Sequence, residues 1–129
     1  MSGDKAVLVD TDILIDYLRG ASMAVQYLEE LDADLKLSAI NVAELYAGVR
    51  DHERDTVKDL LDCFEIVPLD QSLAIRGGLL RRDFGKSHGV GLADAIIAAT
   101  AEKLGCPLAT LNRKHYPMLN SVVVPYQKE

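Results

Sequence analysis

Short aliphatic runs alternate with amphipathic stretches along the whole chain. Ala6-Val7-Leu8-Val9, closing at Asp10, predicts a buried strand over residues 5–10. Thr11 or Asp12 can cap a helix running through Leu18 and Arg19, with Gly20 suited to the left-handed position after it. Residues 22–32 carry Met23, Tyr27, Leu28 and Leu31 at helical spacing, with an acidic end at Glu29, Glu30 and Asp32. Leu35-Lys36-Leu37-Ser38 reads as a strand, after which Asn41 caps a helix to Gly48 with Val42, Leu45, Tyr46 and Val49 on one stripe. An amphipathic helix over 53–63 leads into a strand, Phe64-Glu65-Ile66-Val67, that Pro68 stops. Residues 70–84 predict a helix with an Arg-rich tail, and 85–91, with three glycines and no periodicity, predict a loop. The clearest helix covers 92–104, with Leu92, Ile96, Ile97 and Leu104 inside, Lys103 in the last turn, and Gly105 and Pro107 as stop signals. Strands at 107–111 and 121–124 close the chain around a turn at Asn112–Leu119.

This alternation predicts an α/β fold: a central, mainly parallel sheet of four to five strands, with helices layered on both faces and right-handed crossovers. No repeat, linker or low-complexity segment interrupts it, so residues 1–129 are expected to form a single domain. In open sheets of this class, ligands bind beyond the carboxyl ends of the strands. Asp10 and Asn112 both fall just past such ends.

Composition narrows the chemistry. A chain of 129 residues that is 49% hydrophobic and 26% charged can bury a sufficient core without disulfides or structural metal. Aromatics at 5% and the lack of Trp argue against a base-stacking platform for single strands. Cys63 and Cys106 have no CxxC spacing and no histidine partners, and read as small buried residues in a reducing compartment. The net charge of −6 has the wrong sign for holding nucleic acid by bulk electrostatics. Attraction for a polyanion would have to come from metal ions or from local patches, Arg76/Arg81/Arg82/Lys86 and Arg113/Lys114/His115, which otherwise read as solvated helix faces. Asp4 precedes the first apolar run, which is too short for a signal peptide, and no stretch approaches a membrane span; a cytoplasmic protein is expected.

Four oxygen-bearing side chains stand where elements begin or end: Asp10, Glu44, Asp94 and Asn112. Singly, each has an ordinary explanation. Asp10 can end a strand or cap a helix, Glu44 can be a solvated helix residue, Asp94 suits the positive end of its helix, and Asn112 can start a turn. Gathered together, the acids would repel one another without a cation. Carboxylates without a His or Cys cluster favour Mg²⁺ or Mn²⁺ over zinc, and such ions serve phosphodiester hydrolysis. A metal-dependent ribonuclease follows as the leading expectation.

Val9-Asp10-Thr11-Asp12-Ile13-Leu14-Ile15-Asp16-Tyr17-Leu18, Glu44-Leu45-Tyr46-Ala47-Gly48, Asp94-Ala95-Ile96-Ile97-Ala98-Ala99-Thr100-Ala101 and Leu108-Ala109-Thr110-Leu111-Asn112 together resemble a PIN domain. More narrowly, the chain resembles the VapC toxins of prokaryotic toxin–antitoxin pairs, over essentially its whole length. The resemblance implies an endoribonuclease dependent on Mg²⁺ or Mn²⁺, commonly a homodimer, inhibited by a small antitoxin that covers the active site. By position, Asp10, Glu44 and Asp94 would hold metal, Thr11 would support the first acid, and Thr110 the fourth corner. Two departures stand out: Asp12 occupies a position more usually Asn or Ser, and Asn112 replaces the fourth acid, which bears on a second metal. On this reading Asp10 and Asp94 bind the principal cation, Glu44 orients or deprotonates the attacking water, and Asn112 positions water or phosphate. Arg113 and Lys114 are candidate substrate contacts.

Two other classes compete. Asp10-Thr11-Asp12 after a strand suits a phosphatase of the haloacid dehalogenase type, but Leu14 stands where that pattern wants Thr or Val. A non-catalytic binding module could instead use the apolar faces around Tyr17, Leu18, Tyr27 and Tyr46, which otherwise read as core. His52, His88 and His115 share no ligand spacing; His115, in Asn112-Arg113-Lys114-His115-Tyr116, could touch substrate but reads first as a surface residue.

Overall fold

The computed structural model describes residues 5–127; Asp4, used above in reading the N-terminus, lies outside them. Strand β1 (Ala6–Val9) forms where the first aliphatic run predicts it. Leu8 and Val9 are fully buried, as a strand covered on both faces requires. It pairs in parallel with β2 (Asp34–Ser38) on one side and β4 (Leu108–Ala109) on the other. Strands β3 (Glu65–Val67) and β5 (Val122–Val123) extend the two edges, giving an all-parallel sheet in the order β3-β2-β1-β4-β5.

Alternation of side chains along the strands divides the core in two. Leu8 and its register partner Leu108 face helices α5 (Gln71–His88) and α6 (Leu92–Leu104), where Leu73, Leu80, Ala95 and Ile97 meet them. Val7, Val9 and Ala109 face the opposite layer. There α1 (Thr11–Leu18), α2 (Ser22–Glu30), α3 (Ala39–Ala47) and α4 (Arg54–Leu61) supply Ile13, Leu28, Leu45 and Val57. Each fully buried side chain of this size contributes about 2 kcal/mol of transfer free energy. The expected three-layer α/β/α architecture is what forms.

From β1 the chain steps to β2 and then β3, but α5 and α6 carry it back across to β4 on the other side of β1. Strand order therefore reverses between β1 and β4, and their carboxyl ends flank the crevice where such sheets bind ligands.

Several local expectations are corrected. Asp10, not Thr11 or Asp12, caps α1, its carboxylate accepting from Thr11 N. Ser38 caps α3, and Asn41 closes the capping box from inside the helix. Helix α5 continues to His88 where a loop was expected from residue 85; Gly85 stays helical beneath the Arg81 side chain, and Gly89 takes the left-handed cap at φ 66°. The left-handed turn falls on the later glycine because Leu80 and Phe84 keep the helix seated on the core. Leu92 is 56% exposed at the start of α6, whereas residues 95–101 are buried all round, wedged between sheet and α5. Cys63 is exposed and Cys106 half-buried, so neither is core, and both are free thiols. Of the apolar helix faces, Met23 and Tyr46 emerge exposed.

Candidate active site

The crevice between β1 and β4 is built from side chains that the local fold leaves no freedom to place elsewhere. Asp10 leaves β1 with its N–H bound to Ala109 O at 2.9 Å. Its Oδ1 accepts from Thr11 N at 2.8 Å, and its Oδ2 accepts from Thr110 Oγ1 at 2.8 Å and Tyr116 Oη at 2.9 Å. Three donors thus fix a carboxylate that is only 7% exposed.

Thr11 links this acid to the next. Its hydroxyl donates to Glu44 Oε1 at 2.7 Å and accepts from Asn41 Nδ2 at 2.8 Å. Asn41 is fully buried, its Oδ1 taking the Ser38 N–H at 3.1 Å, so the β2–α3 capping box also aims the Thr11–Glu44 pair. Burial raises the Glu44 carboxyl above its ordinary range, with the charges of Asp10 and Asp94 adding and the Thr11 hydroxyl opposing.

Asp94, in the first turn of α6, accepts from Tyr116 Oη at 3.2 Å through Oδ1. His115 Nδ1 lies 3.4 Å from its Oδ2. Burial raises this carboxyl as well, the Asp10 charge adding to the effect while His115 and Tyr116 oppose it. The Tyr116 phenol is pushed up strongly in turn, by burial and then by the two carboxylates it faces.

Asp12 organises the loop after β4. Its Oδ2 accepts from Leu111 N at 3.0 Å and Asn112 Nδ2 at 2.9 Å, with Thr110 Oγ1 at 3.3 Å, while Oδ1 takes Ile13 N at 2.8 Å. Burial, helped by the neighbouring Asp10 charge, pushes its carboxyl up to about 6. Asn112 is thus committed through its amide nitrogen to Asp12, and its backbone N–H reaches Thr110 Oγ1 at 3.1 Å.

The residues singled out in the sequence therefore converge, with two exceptions. Arg113 spends its guanidinium on Val122 O at 2.9 Å, pinning the loop to β5, and Lys114 is exposed at the rim. Two participants were not anticipated as site residues, Asn41 and Tyr116; His115 is exposed, as its surface reading expects, yet stands beside Asp94. Only the fold could reveal Tyr116, since nothing local marks the hydroxyl that bridges Asp10 and Asp94. Among the described residues no three His, Cys, Asp or Glu side chains form a ready-made ligand cluster. Thr11, through its N–H to Asp10 and its hydroxyl to Glu44, and the Tyr116 hydroxyl stand between the acids instead. The donor set is nonetheless all hard oxygen, with mutually opposing charges that a small divalent cation would relieve.

Set against known families, residues 7–118 match the PIN domain. The chain belongs to that family. Ribonuclease VapC10 of Mycobacterium tuberculosis is 40% identical over 123 residues, spanning 93% of this chain and 92% of that protein. Ribonuclease VapC1 of Methanocaldococcus jannaschii is 34% identical over 119 residues, 90% of this chain and 82% of that one. Among solved structures, a toxin–antitoxin complex from Klebsiella pneumoniae superposes with a TM-score of 0.82 at 33% identity, covering 95% of this chain and 99% of that chain. Membership removes the haloacid dehalogenase alternative at the level of the fold. In this PIN domain the acids Asp10, Glu44 and Asp94 stand together at the switch point of the sheet, and Asp12 and Asn112 have become partners in one hydrogen bond. No helix among the described residues is long and apolar enough to cross a membrane.

Proposed function

We propose that this PIN domain is a Mg²⁺- or Mn²⁺-dependent endoribonuclease, the toxin of a VapBC-type pair, hydrolysing RNA phosphodiester bonds in the cytoplasm. The observation that carries the reading is the gathering of Asp10, Glu44 and Asp94 beyond the strand ends, Glu44 tied to Asp10 through the hydroxyl and N–H of Thr11 and Asp94 tied to Asp10 through the Tyr116 hydroxyl. Magnesium keeps several waters and is held by one or two carboxylates plus substrate phosphate, so Asp10 and Asp94 suffice without a closed three-ligand cage. A cation held there supplies charge neutralisation at the phosphate and a lowered pKa for the attacking water.

The protein's own groups do the rest. Asp10, fixed by its donors, keeps one acceptor position open, on Oδ1, because Oδ2 already takes two hydrogen bonds. Glu44 is held through Oε1 by Thr11 and is the group placed to take a proton from water, its raised pKa bringing it closer to the range of a general base. Asn112 donates to Asp12 and retains its carbonyl oxygen to orient water, while its neutrality leaves one negative charge fewer beside the phosphate. Lys114 at the rim contributes to holding the polyanion.

A small antitoxin is the proposed protein partner. The cleft beside Glu44, lined by Ile15, Leu18, Leu45, Val49 and Val57, gives an apolar segment a foothold next to the acids. A second copy is the other, for which exposed Ile75, Leu79 and Leu92 on α5 and α6 offer apolar surface. The test is cleavage of total cellular RNA with and without Mn²⁺, mapped at single-nucleotide resolution. Asp10→Asn is expected to abolish Mn²⁺-dependent cleavage while leaving the circular dichroism spectrum unchanged; full activity in that variant would sink the assignment.

A further inference from the structure

We propose that Tyr116 is a positioning residue for the cation site: its hydroxyl sets the separation of Asp10 and Asp94 and so the direction of the lone pairs they have left. The inference rests on the reading above that this pair holds the metal. Asp10 comes from the end of β1 and Asp94 from the first turn of α6, two elements with no covalent reason to keep a fixed distance. Among the described residues, Tyr116 alone lies within hydrogen-bonding distance of both, at 2.9 Å to Asp10 Oδ2 and 3.2 Å to Asp94 Oδ1, its single proton shared between them.

The phenol cannot swing away. Its ring is 1% exposed in the core between sheet and α6, in the same cluster as Leu8, Leu108 and Val122. Its backbone is held by its N–H to Arg113 O at 2.9 Å and by Leu119 N to its carbonyl at 3.1 Å. Arg113 in turn is anchored on Val122 O. A rigid ring with one oxygen at its tip therefore acts as a spacer between two like charges. Phenylalanine would fill the same core volume but leave the carboxylates facing each other with no donor between them, free to move apart. The remaining supports of Asp10, Thr11 N and Thr110 Oγ1, hold that acid but do not touch Asp94.

The experiment is calorimetric titration of Mn²⁺ into the full chain, for the wild type, Tyr116→Phe and a matched control, Tyr126→Phe. The control also removes a buried phenol from an aspartate, Asp16 Oδ2 at 2.9 Å, but touches neither proposed ligand. Groups that orient metal ligands typically change affinity by about 10–100-fold when removed. Tyr116→Phe is expected to raise the Mn²⁺ dissociation constant by about that factor, and Tyr126→Phe to leave it unchanged. A purely structural role would lower thermal stability in chelator without moving the affinity of the folded protein. Unchanged affinity in Tyr116→Phe overturns the inference. So does tighter binding, which would mean that the hydroxyl competes for the cation's place. Absence of Mn²⁺ binding by the wild type overturns the metal reading itself, so the two failures are distinct. Should Tyr116→Phe not fold, wild-type protein carrying ¹³C at tyrosine Cζ gives the same decision. Saturating Mg²⁺ is expected to shift the Tyr116 signal, and a signal indifferent to Mg²⁺ overturns the inference.

Discussion

The Asp12 carboxyl makes the metal-free protein less stable as pH rises, the reverse of ordinary acid denaturation. Burial and the neighbouring Asp10 charge lift it from 3.8 to about 6 in the folded state. A raised pKa means that folding favours the protonated acid, so its contribution is fully present below about pH 4 and is lost as pH climbs through about 6. The gap between 3.8 and about 6 is worth about 3 kcal/mol at about 1.4 kcal/mol for each tenfold in proton affinity. Asp12 is only partly buried, and solvent screening brings this to about 1–2 kcal/mol. Asp12→Asn isolates the effect because an amide does not titrate. Setting that amide against Ile13 N, which now donates to Oδ1 at 2.8 Å, lowers the variant's stability by an amount that does not tilt with pH. Urea unfolding in chelator, measured from about pH 4 to about pH 8, gives both curves. The stability of the wild type minus that of Asp12→Asn should fall by about 1–2 kcal/mol across that window. A difference that stays flat within about 0.3 kcal/mol, or that grows with pH, refutes the argument.

Thr11→Val keeps the shape but strands the buried Asn41 amide and frees Glu44. A loss of about 1–3 kcal/mol, read as a fall in melting temperature, is expected, and an unchanged transition would contradict the role given to that hydroxyl. Gly77→Ala should cost about 1–2 kcal/mol despite alanine's better helix propensity, because a Cβ there would lie 2.7 Å from Ile96 Cγ1 and 3.2 Å from Ile96 Cα. Gly78→Ala, with nothing within 4 Å of the added carbon, should instead gain about 0.5–1 kcal/mol in the same urea titration.

Local sequence signals placed nearly every element, because hydrophobic period and stop residues act over a few positions and do not need the rest of the fold. Where they failed, a contact from elsewhere had the deciding weight. Gly85 reads as a breaker, yet α5 holds its course because Leu80 and Phe84 pack on the core. Leu92 reads as buried, yet it sits one turn too early, where α6 has not entered the layer between sheet and α5. Cys63 reads as core and stands in water at the end of α4.

The site divides in the same way. Asp10, Thr11, Glu44, Asp94, Thr110 and Asn112 were legible, since strand ends and helix starts are where an α/β sheet exposes functional groups and the chemistry of each is written in its side chain. Which of them touch was decided only by the tertiary structure. A hydrogen bond between Asp12 and Asn112, or a single phenol between Asp10 and Asp94, depends on strand order, register and the reversal between β1 and β4. Those are set by the packing of two whole layers of helices, a sum over many weak contacts that no window of sequence contains. By itself the sequence determined the periodicities, the stops and the kinds of atoms available for chemistry; the fold alone determined their distances.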